Sequence, residues 1–126
     1  MLTRFQLSSF FIFTTLSLIF FGCKKDEDNV PPVVTINSPL ENARVDGEFG
    51  FVVSGSIQDN ENIKEMQVEL EPVSSNNHSS YFRRIELNRS SYDYSVEIII
   101  DNDDFIEGYY YLNITAFDGN NYSVAG

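Results

Sequence analysis

The sequence predicts an all-β domain of about seven short strands, paired antiparallel in two packed sheets. Three observations predict it. From Val33 onward, apolar residues recur at every second position, most cleanly at Tyr92, Tyr94, Val96, Ile98 and Ile100. Clusters of Asn, Asp, Ser and Gly interrupt that alternation at short intervals. No stretch of this region makes a convincing helix.

Taken in order, Val33–Asn37 reads as a first strand, stopped by Ser38-Pro39. Residues 42–47 turn. Phe49, Phe51 and Val53 then alternate, with Gly55 in register and Ile57 after it, as a second strand. Gly55 leaves room for a close neighbour or a bulge. Asp59-Asn60-Glu61-Asn62 reads as a polar turn. Met66, Val68 and Leu70 alternate with Glu65, Gln67 and Glu69, a third strand with one wet face. Ile63, Met66 and Leu70 would also suit a helix, and the strict alternation decides for strand. Residues 72–80 are a loop rich in Ser and Asn. Tyr81–Leu87 resumes strand, residues 88–91 turn, and the Tyr92–Ile100 alternation follows until Asp101-Asn102-Asp103-Asp104 ends it. Tyr110, Leu112, Ile114 and Ala116 should face inward from a sixth strand, with Tyr109, Tyr111 and Asn113 outward. Asp118-Gly119-Asn120 is a tight turn into a short last strand, Tyr122–Ala125.

Ahead of this domain the chain has a different character. Met1–Arg4 carries one positive charge, Phe10–Phe21 is apolar apart from Thr14, Thr15 and Ser17, and Gly22-Cys23 follows, then Lys24-Lys25-Asp26-Glu27-Asp28. The apolar run suits a signal-peptide core and is short for a membrane span. Cys23 is the only cysteine. This junction resembles the lipobox of bacterial lipoproteins, with Phe20 and Phe21 where Leu and a small residue are usual. The resemblance implies cleavage after residue 22 and lipidation of Cys23. An uncleaved anchor and a plain secretory signal are the alternatives. An uncleaved anchor would leave Lys24 and Lys25 on the wrong side under the positive-inside rule. The acidic run behind two lysines is similar to the export tag of surface-exposed lipoproteins, which implies an outer-membrane protein facing outward rather than the periplasm. Two acyl chains hold stably where one holds marginally, at about 0.8 kcal/mol per buried CH₂. The organisation expected is therefore a signal peptide over 1–22, the lipidated Cys and a charged, proline-ended tether over 23–32, and one domain over 33–126.

Charge narrows the partners. The chain has 8 basic and 19 acidic side chains. Removing residues 1–22 takes Arg4 and no acid, which leaves 104 residues with a net charge of −12. Such a surface repels phosphate backbones and excludes nucleic acid as a natural partner. The lipid anchor is the expected contact with membrane. With Cys23 acylated, no thiol remains for a disulfide, so stability rests on the core.

Two stretches carry a further resemblance. Phe51–Asn60 is a strand ending in Ser54-Gly55-Ser56-Ile57-Gln58-Asp59. Gly108–Asn120 places Tyr110 ahead of alternating core residues and a turn. Both are similar to bacterial immunoglobulin-like domains, and with the leader the chain resembles small surface lipoproteins that carry one such domain. The resemblance implies an Ig-like β-sandwich, with Tyr110 where a corner tyrosine stands, and it is silent on ligand.

No catalytic constellation is visible, so no enzyme activity is expected. His78, the only histidine, sits in the Ser/Asn loop without an acid–base partner. Two acidic clusters are candidates for calcium, a hard cation that takes several loop carboxylates. One is Asp59 and Glu61 with Asp118, and the other is Asp101, Asp103 and Asp104, near Asp46. Solvated acidic turns would have the same composition. A candidate ligand face is formed by Tyr109, Tyr111 and Asn113 beside Glu65, Gln67 and Glu69, suited to a glycan or a protein partner. The expected role is a non-catalytic binding, adhesion or spacer module at the outer membrane surface. Its rivals are an accessory glycan-binding subunit of a nutrient-capture complex and a small hydrolase with an unfamiliar site.

Overall fold

Two long antiparallel strands form the spine of the protein: β2 (Phe51–Pro72) and β3 (Tyr81–Ile98). The computed structural model describes residues 27–46, 49–74, 80–100, 105 and 107–126. Among the described residues the other strands are β1 (Val33–Ser38), β4 (Tyr110–Phe117) and β5 (Tyr122–Ala125), and there is no helix. All pairings are antiparallel, in one curled sheet of order β1-β2-β4-β5 with β3 along the other edge of β2. Cys23, the expected signal peptide, His78 and Asp101, Asp103 and Asp104 lie outside the described residues.

The edge of β2 opposite β3 is shared. β1 pairs with its first half, from Val33↔Gln58 to Ser38↔Ser54, and β4 with its second half, from Phe117↔Glu65 to Tyr110↔Pro72. Between Gln58 and Glu65 there is a seam where one partner strand gives way to the other.

At the level of that seam both long strands change phase. In β2 the buried residues are Val53, Gly55, Ile57 and Ile63, then Met66, Val68 and Leu70. Odd positions face inward before the seam and even positions after it. β3 does the same, with Tyr81, Ile85 and Leu87 packed on the core first and Tyr92, Tyr94, Val96 and Ile98 afterwards. A strict two-residue period would have turned one half of each strand inside out. Two bulges absorb the difference: Gln58 pairs with Ser91, Ile63 with Arg89 and Glu65 with Glu86. Residues 59–62 therefore stand opposite Ser90 alone and Lys64 opposite Leu87 and Asn88, the second shift being where β2 changes phase. The sheet thereby bends while keeping its apolar side inward.

These bulges correct the expected strand count. Residues 59–62 and 88–91, read from their polarity as turns, are crossed by β2 and β3. The predicted second and third strands are one strand, as are the fourth and fifth. Phe49, expected to begin the second strand, lies outside it: β2 starts at Phe51, and Phe49 is 81% exposed.

One core holds the sheet. Ile57, Ile63, Met66, Ile98 and Ile114 are fully buried, each contributing roughly 1.5–3 kcal/mol by removal from water. Ile114 and Ala116 on β4 are buried, and Tyr110 and Leu112 pack against the same cluster. Two residues at the end of the expected tether, Asp28 and Pro32, lie against this body, with residues 29–31 between them exposed. Pro32 is fully buried, and Asp28 is hydrogen-bonded to residues of two distant segments.

Candidate functional site

Two places gather polar and aromatic chemistry: the outer face of the sheet beyond the seam, and the seam itself. The outer face follows from register. Residues paired across antiparallel strands point to the same side. Tyr111 pairs with Glu71, Asn113 with Glu69, Thr115 with Gln67 and Phe117 with Glu65. On the other side of β2, Glu69 pairs with Phe82, Gln67 with Arg84 and Glu65 with Glu86. β5 adds Val124 opposite Thr115 and Tyr122 opposite Phe117, the latter two rings stacked with centroids 4.3 Å apart.

Tyr109 is 87% exposed and Tyr111 59%. Phe82, Tyr122 and Val124 are exposed as well. The polar groups among them are already oriented. Arg84 Nε lies 3.1 Å from Glu65 Oε1, Gln67 Nε2 donates to the same oxygen, and Asn113 Nδ2 donates to Glu71 Oε2 at 3.4 Å. The structure thus brings together Tyr111, Asn113, Glu65, Gln67 and Glu69 and adds Glu71, Phe82, Arg84, Tyr122 and Val124. The outward parity of Phe82, Arg84 and Glu86 is readable in the sequence, since Ile85 and Leu87 face in. Their position beside β2 is not, because it depends on which strands pair.

Tyr110, expected to be a corner tyrosine, is half-buried and its ring stacks on Phe105 at 5.7 Å. The Tyr94 hydroxyl reaches a backbone carbonyl of another strand, donating to Thr35 O at 2.7 Å.

The seam collects three carboxylates. Asp59 immediately follows Gln58, the last β2 residue paired with β1. Asp118 immediately follows Phe117, where β4 meets Glu65. Asp28 comes from the segment leading into β1, whose Val33 pairs with Gln58. One oxygen from each lies within 4.8 Å of the others. Asp118 also builds the β4–β5 turn. Its Oδ1 accepts the N–H groups of Asn120 and Asn121, both at 2.6 Å, and its Oδ2 accepts Asn121 Nδ2 at 2.9 Å. Gly119 supplies the positive φ of 117° that this turn needs. Asn121 Nδ2 also donates to Asp28 O at 3.0 Å, and Asn60 Nδ2 to Asp28 Oδ1 at 3.1 Å. Amides from the β2 bulge and the β4–β5 turn therefore hold the leading segment.

The charges at the seam are unevenly stabilised. Burial pushes the Asp59 carboxyl above its ordinary value, and the Asp118 and Asp28 charges add to this against the N–H of Glu61. Burial also works against the Asp118 charge, but the N–H groups of Asn121 and Asn120 and the Asn121 amide outweigh it and hold that carboxyl low. The buried atoms Asp28 Oδ2 and Asp59 Oδ1 have no hydrogen-bond partner. Of the acids the sequence suggested for calcium here, Asp59 and Asp118 are in the cluster. Glu61 contributes its N–H to Asp59 at 3.1 Å, while its exposed side chain is not one of the three. Asp28 escaped the sequence reading because a charged stretch ahead of the first strand offers no local sign that one of its acids folds back.

A scan against models of protein families, a search of curated proteins and a search of solved structures return no match to this chain.

Proposed function

We propose that the protein is a lipid-anchored, non-catalytic glycan-binding module of the outer membrane surface, carried on an immunoglobulin-like β-sandwich. The observation that carries the binding role is the outer sheet face, where Tyr111, Phe82 and Tyr122 are exposed beside oriented amides and carboxylates, with the exposed Tyr109 immediately ahead of β4. Aromatic rings offer a surface for the apolar side of a sugar ring, and Gln67, Asn113, Glu69 and Glu71 offer partners for its hydroxyls. A protein partner fits less well, because glutamate is depleted from the centre of protein interfaces. The sandwich reading is supported by the matched phase changes of β2 and β3, which turn the two halves of the sheet toward one core. The anchor reading rests on the apolar run ending at Gly22-Cys23.

A glycan array tests the binding role. Wild type should give hits that Tyr109→Ala/Tyr111→Ala loses at unchanged circular dichroism. Equal hits for both, or capture of a protein and no glycan, would reject it. Cys23→Ala tests the anchor separately. It should abolish incorporation of radioactive palmitate, and undiminished labelling would reject the anchor while leaving the binding result to stand alone.

A further inference from the structure

The seam contains a feature that hydrogen bonding leaves unexplained. Asp28 Oδ2 and Asp59 Oδ1 are buried side-chain oxygens with no donor, in a cluster that already holds a third carboxylate. A buried carboxylate oxygen without a partner is costly, and bringing three acids together raises that cost further. The neighbouring donors are already used on other atoms. Val30 N and Asn60 Nδ2 serve Asp28 Oδ1, Glu61 N serves Asp59 Oδ2, and Asn120 and Asn121 serve Asp118. No lysine or arginine pairs with any of the three among the described residues. The ion pairs found there, Arg44–Glu107 and Arg84–Glu65, are elsewhere.

We infer that Asp28, Asp59 and Asp118 form a calcium site that fastens the segment leading into β1 onto the seam of the sheet. Calcium takes oxygen ligands at 2.3–2.6 Å, so two ligand oxygens on opposite sides of the ion stand about 4.6–5.2 Å apart. A set of carboxylate oxygens within 4.8 Å of one another matches that span. The two oxygens without donors are ready ligands, and Asp118 has accepting capacity left on Oδ2 beyond its one bond. The irregular backbone also suits calcium, which tolerates flexible geometry and more than six ligands, better than magnesium, which requires a near-ideal octahedron. Asp28 lies five positions after Cys23. A cation here therefore sets how the body sits relative to the residues that precede it. This consequence does not depend on what the outer face binds.

Thermal melting and calorimetric titration of the protein with calcium, and with magnesium at matched ionic strength, test the site. Millimolar calcium should raise the wild-type Tm by about 4 °C or more, by binding the folded state alone. Asp59→Asn and Asp28→Asn, which keep side-chain size, should each lose the shift. Asp28 precedes the first strand, so that variant keeps the test available should Asp59→Asn fail to fold. No calcium-dependent shift in wild type, or an equal shift in the variants that fold, would overturn the site. A shift reproduced in full by magnesium would overturn its assignment to calcium.

Discussion

The hydroxyl of Tyr94 donates to the backbone carbonyl of Thr35 at 2.7 Å, across the strand that lies between them. Tyr94 is on β3 and Thr35 on β1, and the residue beneath the ring is Gly55 of β2, the cross-strand partner of Tyr94. One side chain therefore ties three strands together. The absent side chain at Gly55 makes the path.

Tyr94→Phe keeps the ring and removes the donor. It should cost about 1 kcal/mol, the net worth of a single hydrogen bond, seen as a lower urea midpoint with an unchanged slope. Burial pushes the Tyr94 hydroxyl up to about 12 from 10.0. The folded chain holds this proton more tightly than the unfolded chain does. The contribution is intact below pH 10 and lost as pH rises through about 12. Spectrophotometric titration of the 7 tyrosines should show a late phase that Tyr94→Phe removes. Titration of the variant with the late phase intact would refute the assignment.

Gly55→Ala should be worse than an ordinary glycine substitution in a strand. A methyl group there would land on Thr35 O and on the Tyr94 ring. Overpacking of this kind costs typically about 1–3 kcal/mol. Because part of the clash is with Tyr94 and the rest with the Thr35 carbonyl, pairing Gly55→Ala with Tyr94→Ala should recover part of the loss. Strictly additive losses in that double-mutant cycle would show that the two residues are uncoupled.

Ile114→Ala and Tyr111→Ala probe the two faces of β4. Ile114 is fully buried, so its truncation should cost about 2–5 kcal/mol. Tyr111 is exposed on the other face, and its loss should change stability by no more than about 0.5 kcal/mol. Chemical denaturation of the pair checks the register directly, and comparable losses would place β4 one residue out of step.

The sequence by itself determined the strand class, the inward face of each half-strand and the last hairpin. Val33 starts β1, Tyr122–Ala125 is β5, and Met66, Val68, Leu70, Ile114 and Ala116 face the core as their alternation requires. These properties are local, because side chains alternate along any strand and water sorts them by polarity. Tertiary structure decided what happens where the alternation breaks. A polar interruption such as Asp59-Asn60-Glu61-Asn62 looks the same whether the chain reverses or bulges outward and continues. Only the partner strand distinguishes the cases, and here β3 runs alongside without a break in chain direction. The same holds for the seam. Asp28, Asp59 and Asp118 are far apart in sequence, and β2 brings them together by exchanging β1 for β4 along one edge. Pairing between distant segments is set by the packing of the whole sheet, which no single stretch of residues encodes.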